Sequence, residues 1–333
     1  MEYFSKYKDT KSIQKYGEPQ THHTLSVVIP TYNKAVPLIR AIKSALNQRN
    51  VNIDYNIVIV ENYEGDVGDT IKMISSIENL NNIQIVYYQN EKNIGMHPNW
   101  NRCFEMADAD YVLMVHTDDY LLPDCIFYAA EAIRQNIPFL CMNRISFRPG
   151  DSKCEKRICA EKSNQQNRKT KKKIKFHLET PLDILIGIVL VAPTGFLAKK
   201  KEYVTSGGFC TKGHTWPADL ELSFQLAEER KLYFCKKFLV VKSEGDGNDG
   251  SNLASTVPLV KYDKEVFEQV AKVQAIPFGK QIIGMRMAGI IKGFSIDYDQ
   301  YMSDTFPKYY LNIIWQLIYK ILCKIQRHNL YKR

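Results

Sequence analysis

Two adjacent carboxylates follow an apolar run in YVLMVHTDDYLLP, where Asp118 and Asp119 come directly after residues with the pattern of a buried strand. Like charges this close repel unless a cation or hydrogen-bond donors compensate them, so the pair fits a divalent-metal site; a turn capped by two aspartates fits the same pattern. Two other apolar runs end in groups suited to a nucleotide. The first ends in Pro30, Thr31, Tyr32 and Asn33, offering an aromatic face and an amide, and the second ends in Glu61 and Asn62. A ring can stack on a base, and a carboxylate can accept from a base N–H. No G-x-G-x-x-G follows the first run and no G-x-x-x-x-G-K-[ST] occurs in the chain, so the dinucleotide and P-loop readings lose their central feature.

The elements that must position these groups are legible as alternation. Apolar runs of strand length at 25–30, 55–60, 83–88, 111–115 and 139–142 alternate with helix-period segments, the signature of an α/β fold with a mixed, mostly parallel sheet flanked by helices. After the first run, Leu38, Ala41, Ile42, Ala45 and Leu46 follow the helical period, with Pro37 suited to the first turn. A second helix is expected after Pro123, with Ile126, Ala129, Ala130 and Ile133 on one face. Ligands of open α/β sheets gather at the carboxyl ends of the strands, where all three candidate groups fall.

Composition narrows the class. The chain has 333 residues, 45% apolar and 24% charged, with 45 Lys and Arg against 36 Asp and Glu for a net charge of +9. These fractions exclude a disordered or collagen-like chain or a small disulfide scaffold. The charge is concentrated: residues 151–175 carry ten basic residues against three acids, and residues 320–333 carry five against none, which leaves the rest of the chain mildly acidic. A uniformly basic nucleic-acid-binding body is therefore not expected. The eight cysteines include no Cys-x-x-Cys pair and read as reduced thiols. The polar first 20 residues lack the apolar core of a secretory signal, so a cytoplasmic protein is expected.

Residues 149–175 have no apolar period and read as a solvated basic loop. The chain is expected to divide into a lead segment (1–24), a catalytic domain (25–245, with halves 25–122 and 123–245) and a helical region (246–333). Its last element is an amphipathic basic helix at about 309–328, in which Asn312, Gln316, Lys320, Lys324 and Arg327 form one stripe. It is too short and too interrupted to cross a bilayer, which takes about 20 apolar residues. Two readings fit it: a helix lying on an anionic membrane surface, and a helix packed on the body or on a second copy in an oligomer.

Taken together, VVIPTYN, the acid ending the second strand, NIGMHPNWN (93–101), the strand ending in TDD, GGF (207–209) and WPADLEL (216–222) resemble the family 2 glycosyltransferases, in the family's order. The resemblance covers about residues 25–225 and implies the GT-A fold. It also implies an inverting transfer of one sugar from a nucleotide-diphosphate sugar, with UDP the expected nucleotide. The implied donor contacts are Pro30, Thr31, Tyr32, Asn33, Glu61, Asn93, Asn99 and Asp118. Asp119 is the implied ligand of Mn²⁺ or Mg²⁺, with Thr117 at the first position of the DXD motif. Asp219 matches the general base, and His214 and Trp216 lie beside it as acceptor contacts.

The pattern is incomplete. Ala218 stands where the family has Glu before the base, and Gln225 where an Arg is frequent. The stretch after the last strand, VVKSEGDGNDGSN, has no His, leaving Glu244, Asp246 and Asp249 as acids for a further metal contact. No Gln-x-x-Arg-Trp motif occurs, which argues against a processive synthase. The implied acceptor is a polyprenyl-diphosphate-linked glycan of bacterial surface polysaccharide, O-antigen or capsule, reached at the inner face of the cell membrane. Two rivals are a non-catalytic module binding nucleotide sugar, anionic lipid or RNA, and a sugar nucleotidyltransferase; the latter needs a glycine-rich phosphate loop, and PTYNKAVP supplies Lys34 but no glycine.

Overall fold

The computed structural model describes residues 7, 9–148, 150–166, 174–187, 192–210, 218–243, 253–293 and 313–332. The chain forms two compact units, the first made of Met1–Phe176, Ala192–Cys210 and Lys237–Glu244, and the second of His177–Val191, Thr211–Lys236 and Gly245–Arg333.

The first unit is built on the expected runs. Strands β2 (His23–Thr31), β3 (Tyr55–Glu61), β4 (Ile85–Asn90) and β5 (Ala109–Met114) pair in parallel in the order β4, β3, β2, β5. Their interiors are fully buried, which is why they read as continuous apolar runs and not as alternations. Helix α1 (Ala35–Leu46) buries Leu38, Ala41, Ile42, Ala45 and Leu46, the face its period marked out. Helix α2 (Gly68–Ser75) follows β3, and helix α3 (Met96–Met106) packs on β2 and β3.

Beyond β5 the sheet turns antiparallel. The short β6 (Tyr120–Leu121) and helix α4 (Cys125–Arg134) lead to β7 (Phe139–Phe147), and β9 (Phe196–Lys199) inserts between β5 and β7, antiparallel to both. Gly195 lets β9 start there. Its φ is +82, its N–H donates to the Met114 carbonyl at 2.8 Å, and a Cβ on it would lie 2.7 Å from Val240 Cγ2. Helix α7 (Lys200–Ser206) ends on Gly207, left-handed at φ +91. Phe209 of the GGF run then drops into a ring cluster with Trp100, Phe104, Phe196 and Tyr203, its N–H held by Asn101 Oδ1 at 3.0 Å.

Two further segments carry structure. The lead segment supplies β1 (Ser12–Tyr16), an edge strand antiparallel to β4. Arg102 ties it down by donating to the carbonyls of Thr10 and Tyr7, both at 2.7 Å. Most of the basic segment expected as a loop is helix α5 (Ser152–Gln166). It docks through Ile158, 5% exposed, and through Gln165, which accepts from the Asp124 N–H and donates to the Phe238 carbonyl. Charged helix formers without an apolar period gave no signal for it.

In the second unit, β8 (His177–Leu178) pairs with the first residues of β10 (Leu232–Ser243); from Lys237 on, β10 belongs to the first unit, where it pairs with β6. The helices of this unit are α6 (Pro181–Leu185), α8 (Ala218–Glu228), α9 (Leu253–Val273), α10 (Gly279–Gly293) and α11 (Ile313–Lys332). Phe224 meets Phe267 edge-on at 6.0 Å, joining α8 to α9. Helix α11 has two apolar faces. Trp315, Ile318, Tyr319 and Leu322 line a pocket with Phe278 and Ile282, and the Tyr319 hydroxyl donates to the Ile186 carbonyl at 2.9 Å. Ile313, Ile314, Leu317, Ile321 and Ile325 are 50–70% exposed. Among the described residues, no helix is long and apolar enough to cross a membrane.

Candidate active site

The parallel strands bring the sequence-expected donor residues of the first unit to their carboxyl ends. Thr31 is in register with Glu61 across β2 and β3. Tyr32 then leaves the sheet, 52% exposed, with Tyr63 edge-on at 5.9 Å. Asn33 turns the chain at φ +49 and donates its N–H to Glu61 Oε1 at 3.1 Å.

Glu61, expected at the base, faces the protein. It is 2% exposed; Oε1 also accepts from the Tyr63 N–H at 3.0 Å, and Oε2 accepts from the Tyr87 hydroxyl at 3.1 Å. Burial raises its pKa and these donors oppose the rise. The carboxylate therefore holds the two segments that carry Tyr32 and Tyr63. Asn93 and Asn99 are likewise engaged. Asn99, 3% exposed, donates to the Val60 carbonyl and accepts from Asn90; Asn93 accepts from Asn62 at 2.7 Å and from the Gly95 N–H at 2.9 Å. Asn62, which ends the second apolar run, and Asn90, which carried no separate signal, complete this amide ladder with a 3.0 Å bond. It satisfies the backbone where β3 and β4 end and fixes the loop between β4 and α3.

The acid pair lies at the end of β5. The Thr117 hydroxyl donates to the Pro30 carbonyl at 2.6 Å, locking this turn to the end of β2. Asp118 has a 19% exposed side chain facing Lys34 Nζ at 3.5 Å, and its carbonyl accepts from Arg40. Asp119 is 3% exposed; one oxygen accepts from the Thr194 hydroxyl and the other from the Ser243 N–H at 2.9 Å. Burial pushes its pKa up to about 6, against those two hydrogen bonds. A buried carboxylate beside a second carboxylate is a position that a cation would stabilise, and each oxygen retains acceptor capacity. Asp119 thus fits a metal ligand, held in orientation by Thr194 and Ser243.

His97 is buried and His116 half-buried, both against Trp100. His116 packs on Trp100 at 4.8 Å and His97 meets the same ring at 4.7 Å. Burial lowers the pKa of His97 to about 4. As pH falls from about 6.5 toward 4, the unfolded chain takes up a proton that the folded chain refuses, so stability present above 6.5 is lost across that window. By pH 5 the loss from this residue reaches at most about 2 kcal/mol at ~1.4 kcal/mol per pKa unit. Relative to that of His97→Gln, the urea midpoint of the wild type should fall between pH 7 and 5.

In the second unit Asp219 is the second residue of α8. Its Oδ1 accepts from the Leu220 N–H at 3.0 Å and its carbonyl from Ser223. The charge of Asp219 raises the pKa of Asp263, whose burial is the larger cause, to about 7 while Arg286 opposes it. Residues His214, Trp216, Glu244, Asp246 and Asp249 lie outside the described residues. Among the described residues, the one group of three His or acidic side chains with metal-ligand spacing is His177, Glu179 and Asp183, which the sequence reading did not single out.

A mostly parallel α/β sheet with an antiparallel far side, carrying an exposed ring at the end of β2 and a buried acid at the end of β5, is a GT-A-type architecture. The family model Glycosyl transferase family 2 matches residues 26–188, so this segment is similar to that family. Over 112 residues it is 33% identical to poly(ribitol-phosphate) β-N-acetylglucosaminyltransferase TarP of Staphylococcus aureus, covering 32% of this chain and 33% of that one. Over 102 residues it is 33% identical to abequosyltransferase RfbV of Salmonella typhimurium, covering 31% and 30%. The alignments thus span about a third of these relatives' lengths.

Two solved structures share the fold. S. aureus TarS 1–349 in complex with UDP-GlcNAc has a TM-score of 0.54 at 15% identity, covering 84% of this chain and 76% of that one. The mannosyltransferase PcManGT from Pyrobaculum calidifontis, in complex with GDP-Man and Mn²⁺, has a TM-score of 0.53 at 12% identity, covering 96% and 90%.

Proposed function

We propose that the chain moves one sugar from a nucleotide-diphosphate sugar, with UDP the expected nucleotide, to a hydroxyl of a lipid-linked glycan in bacterial surface-polysaccharide assembly. The observation that carries this reading is Asp119, buried at a strand end, oriented by Thr194 and Ser243 and adjacent to Asp118, with Tyr32 exposed at the end of β2. Tyr32 stacks on the base and Asp118 contacts the ribose. Asp119 would hold a divalent cation, Mn²⁺ or Mg²⁺, which when bound neutralises charge on the departing diphosphate. Lys34 and Arg40 add positive charge on the same side. Asp219 takes the proton of the attacking hydroxyl, and a direct displacement inverts the anomeric carbon. The transfer activities named for TarP and RfbV, and the nucleotide-sugar complexes of TarS and PcManGT, support the substrate class.

Tyr32→Ala should raise the donor Kd about 5- to 150-fold, since base–aromatic stacking contributes ~1–3 kcal/mol. Tyr32→Phe should bind donor like wild type in isothermal titration. Loss in both variants alike would count against stacking.

The membrane side of the proposal rests on α11. Its exposed Ile313, Ile314, Leu317, Ile321 and Ile325 lie on the same helix as exposed Lys320, Lys324 and Arg327, and the helix holds no acid. This chemistry fits the headgroup region of an anionic bilayer at the cytoplasmic face. The other face is packed, so point changes test the idea better than deletion. A Leu317→Gln, Ile321→Gln double variant should sediment far less with phosphatidylglycerol vesicles while keeping its Tm; unchanged sedimentation would exclude docking through this face.

A further inference from the structure

The His177, Glu179 and Asp183 cluster lies in the second unit, and its ligating atoms are within 4.8 Å of one another. Glu179 is 1% exposed, and among the described residues neither of its carboxylate oxygens has a hydrogen-bond partner. Buried carboxylates are ordinarily paired or bound to metal, because leaving one unsatisfied costs several kcal/mol. Burial, reinforced by the charge of Asp183, pushes the Glu179 pKa up to about 9.

Local structure aims the three groups at each other. The Phe234–His177 pairing of β8 with β10 places His177, and the Glu179 N–H donates to the Leu232 carbonyl at 2.9 Å. Thr180 then caps α6 in a capping box, and Asp183 Oδ2 accepts from the Thr180 N–H at 3.0 Å and its hydroxyl at 2.6 Å. That cap leaves His177 Nε2 at 3.8 Å from Asp183 Oδ2. The cap and the strand pairing exist without any ion, so the ligands are positioned in advance.

We infer that His177, Glu179 and Asp183 form a divalent-cation site of the Zn²⁺ type, built from different residues than the acid pair at the end of β5. One imidazole and two carboxylates suit a borderline transition ion better than Mg²⁺ or Ca²⁺, which favour all-oxygen sets. Three protein ligands with a fourth position for water is a geometry zinc adopts, and bonds of about 2.1 Å put ligand atoms ~3.4 Å apart, a small closure of the cluster. Asp183 would keep one oxygen on Thr180 and give the other to the ion, so that Thr180 orients the ligand. The ion would neutralise Glu179 and join the end of β8 to α6.

The test uses the full chain stripped with EDTA and returned to Zn²⁺ without nucleotide. Wild type should bind one Zn²⁺ per chain by elemental analysis and rise in Tm, with no such rise in equimolar Mg²⁺. Asp119→Asn should keep both properties, and Glu179→Gln and His177→Ala should lose them. Gln has the shape of Glu and brings no charge into the buried site, so Glu179→Gln should fold without metal; circular dichroism checks this. Wild type that binds no Zn²⁺, or folded variants that bind it as wild type does, would overturn the site. Co²⁺ loading of wild type gives a second reading that requires no variant: a Zn²⁺-displaceable spectrum free of thiolate charge transfer is expected, and thiolate bands would put the ion on cysteines. None of these readouts depends on sugar transfer.

Discussion

Asp119→Asn should lower kcat/KM for the nucleotide sugar by about 10³-fold, on the order of 4 kcal/mol, because it removes the anionic ligand that the diphosphate's counter-ion needs. The variant should fold normally. Asn retains an oxygen to accept from Thr194 or Ser243 and removes a charge that burial disfavours, so its Tm should equal or exceed that of wild type. The loss should appear both as weaker donor binding in Mn²⁺ and as slower turnover, and extra Mn²⁺ should restore little of it. An unchanged kcat/KM in a folded variant would remove Asp119 from the chemistry.

Asp219→Asn should behave differently. A positioned general base contributes about 10²- to 10⁴-fold, so kcat should fall by that range while the donor Kd stays near wild type. Asn keeps the oxygen that caps the Leu220 N–H, so α8 should remain folded. Hydrolysis of donor by water in the absence of acceptor should fall less than transfer, since water is the smaller and less constrained nucleophile. Equal losses in donor affinity and turnover would instead make Asp219 a binding residue.

The sequence made the strands that carry the site readable because parallel strands covered on both faces are apolar throughout. Helix α1 was readable because Leu38, Ala41, Ile42, Ala45 and Leu46 keep one period. The roles inside the site were harder to read. Glu61 and Asn99 carry polar types suited to a nucleotide, yet burial turns them onto the backbone and Tyr87. Thr194 and Ser243 hold Asp119 from 75 and 124 residues away, and no local pattern marks such pairs. Helix α5 was missed because its helix formers are charged and only a narrow strip is buried. The second apolar face of α11 was hidden by its first.

In the proposed function, the strand ends of the first unit hold a nucleotide-diphosphate sugar through Tyr32 and a cation on Asp119. Isothermal titration of a panel of UDP-, GDP- and dTDP-sugars tests it most directly, with wild type and Asp119→Asn, each in Mn²⁺ and in EDTA. One nucleotide class should bind wild type in Mn²⁺, and that binding should be lost in EDTA and in the variant. A folded wild type that binds no member of the panel in Mn²⁺, or binds equally well in EDTA and without Asp119, would contradict it.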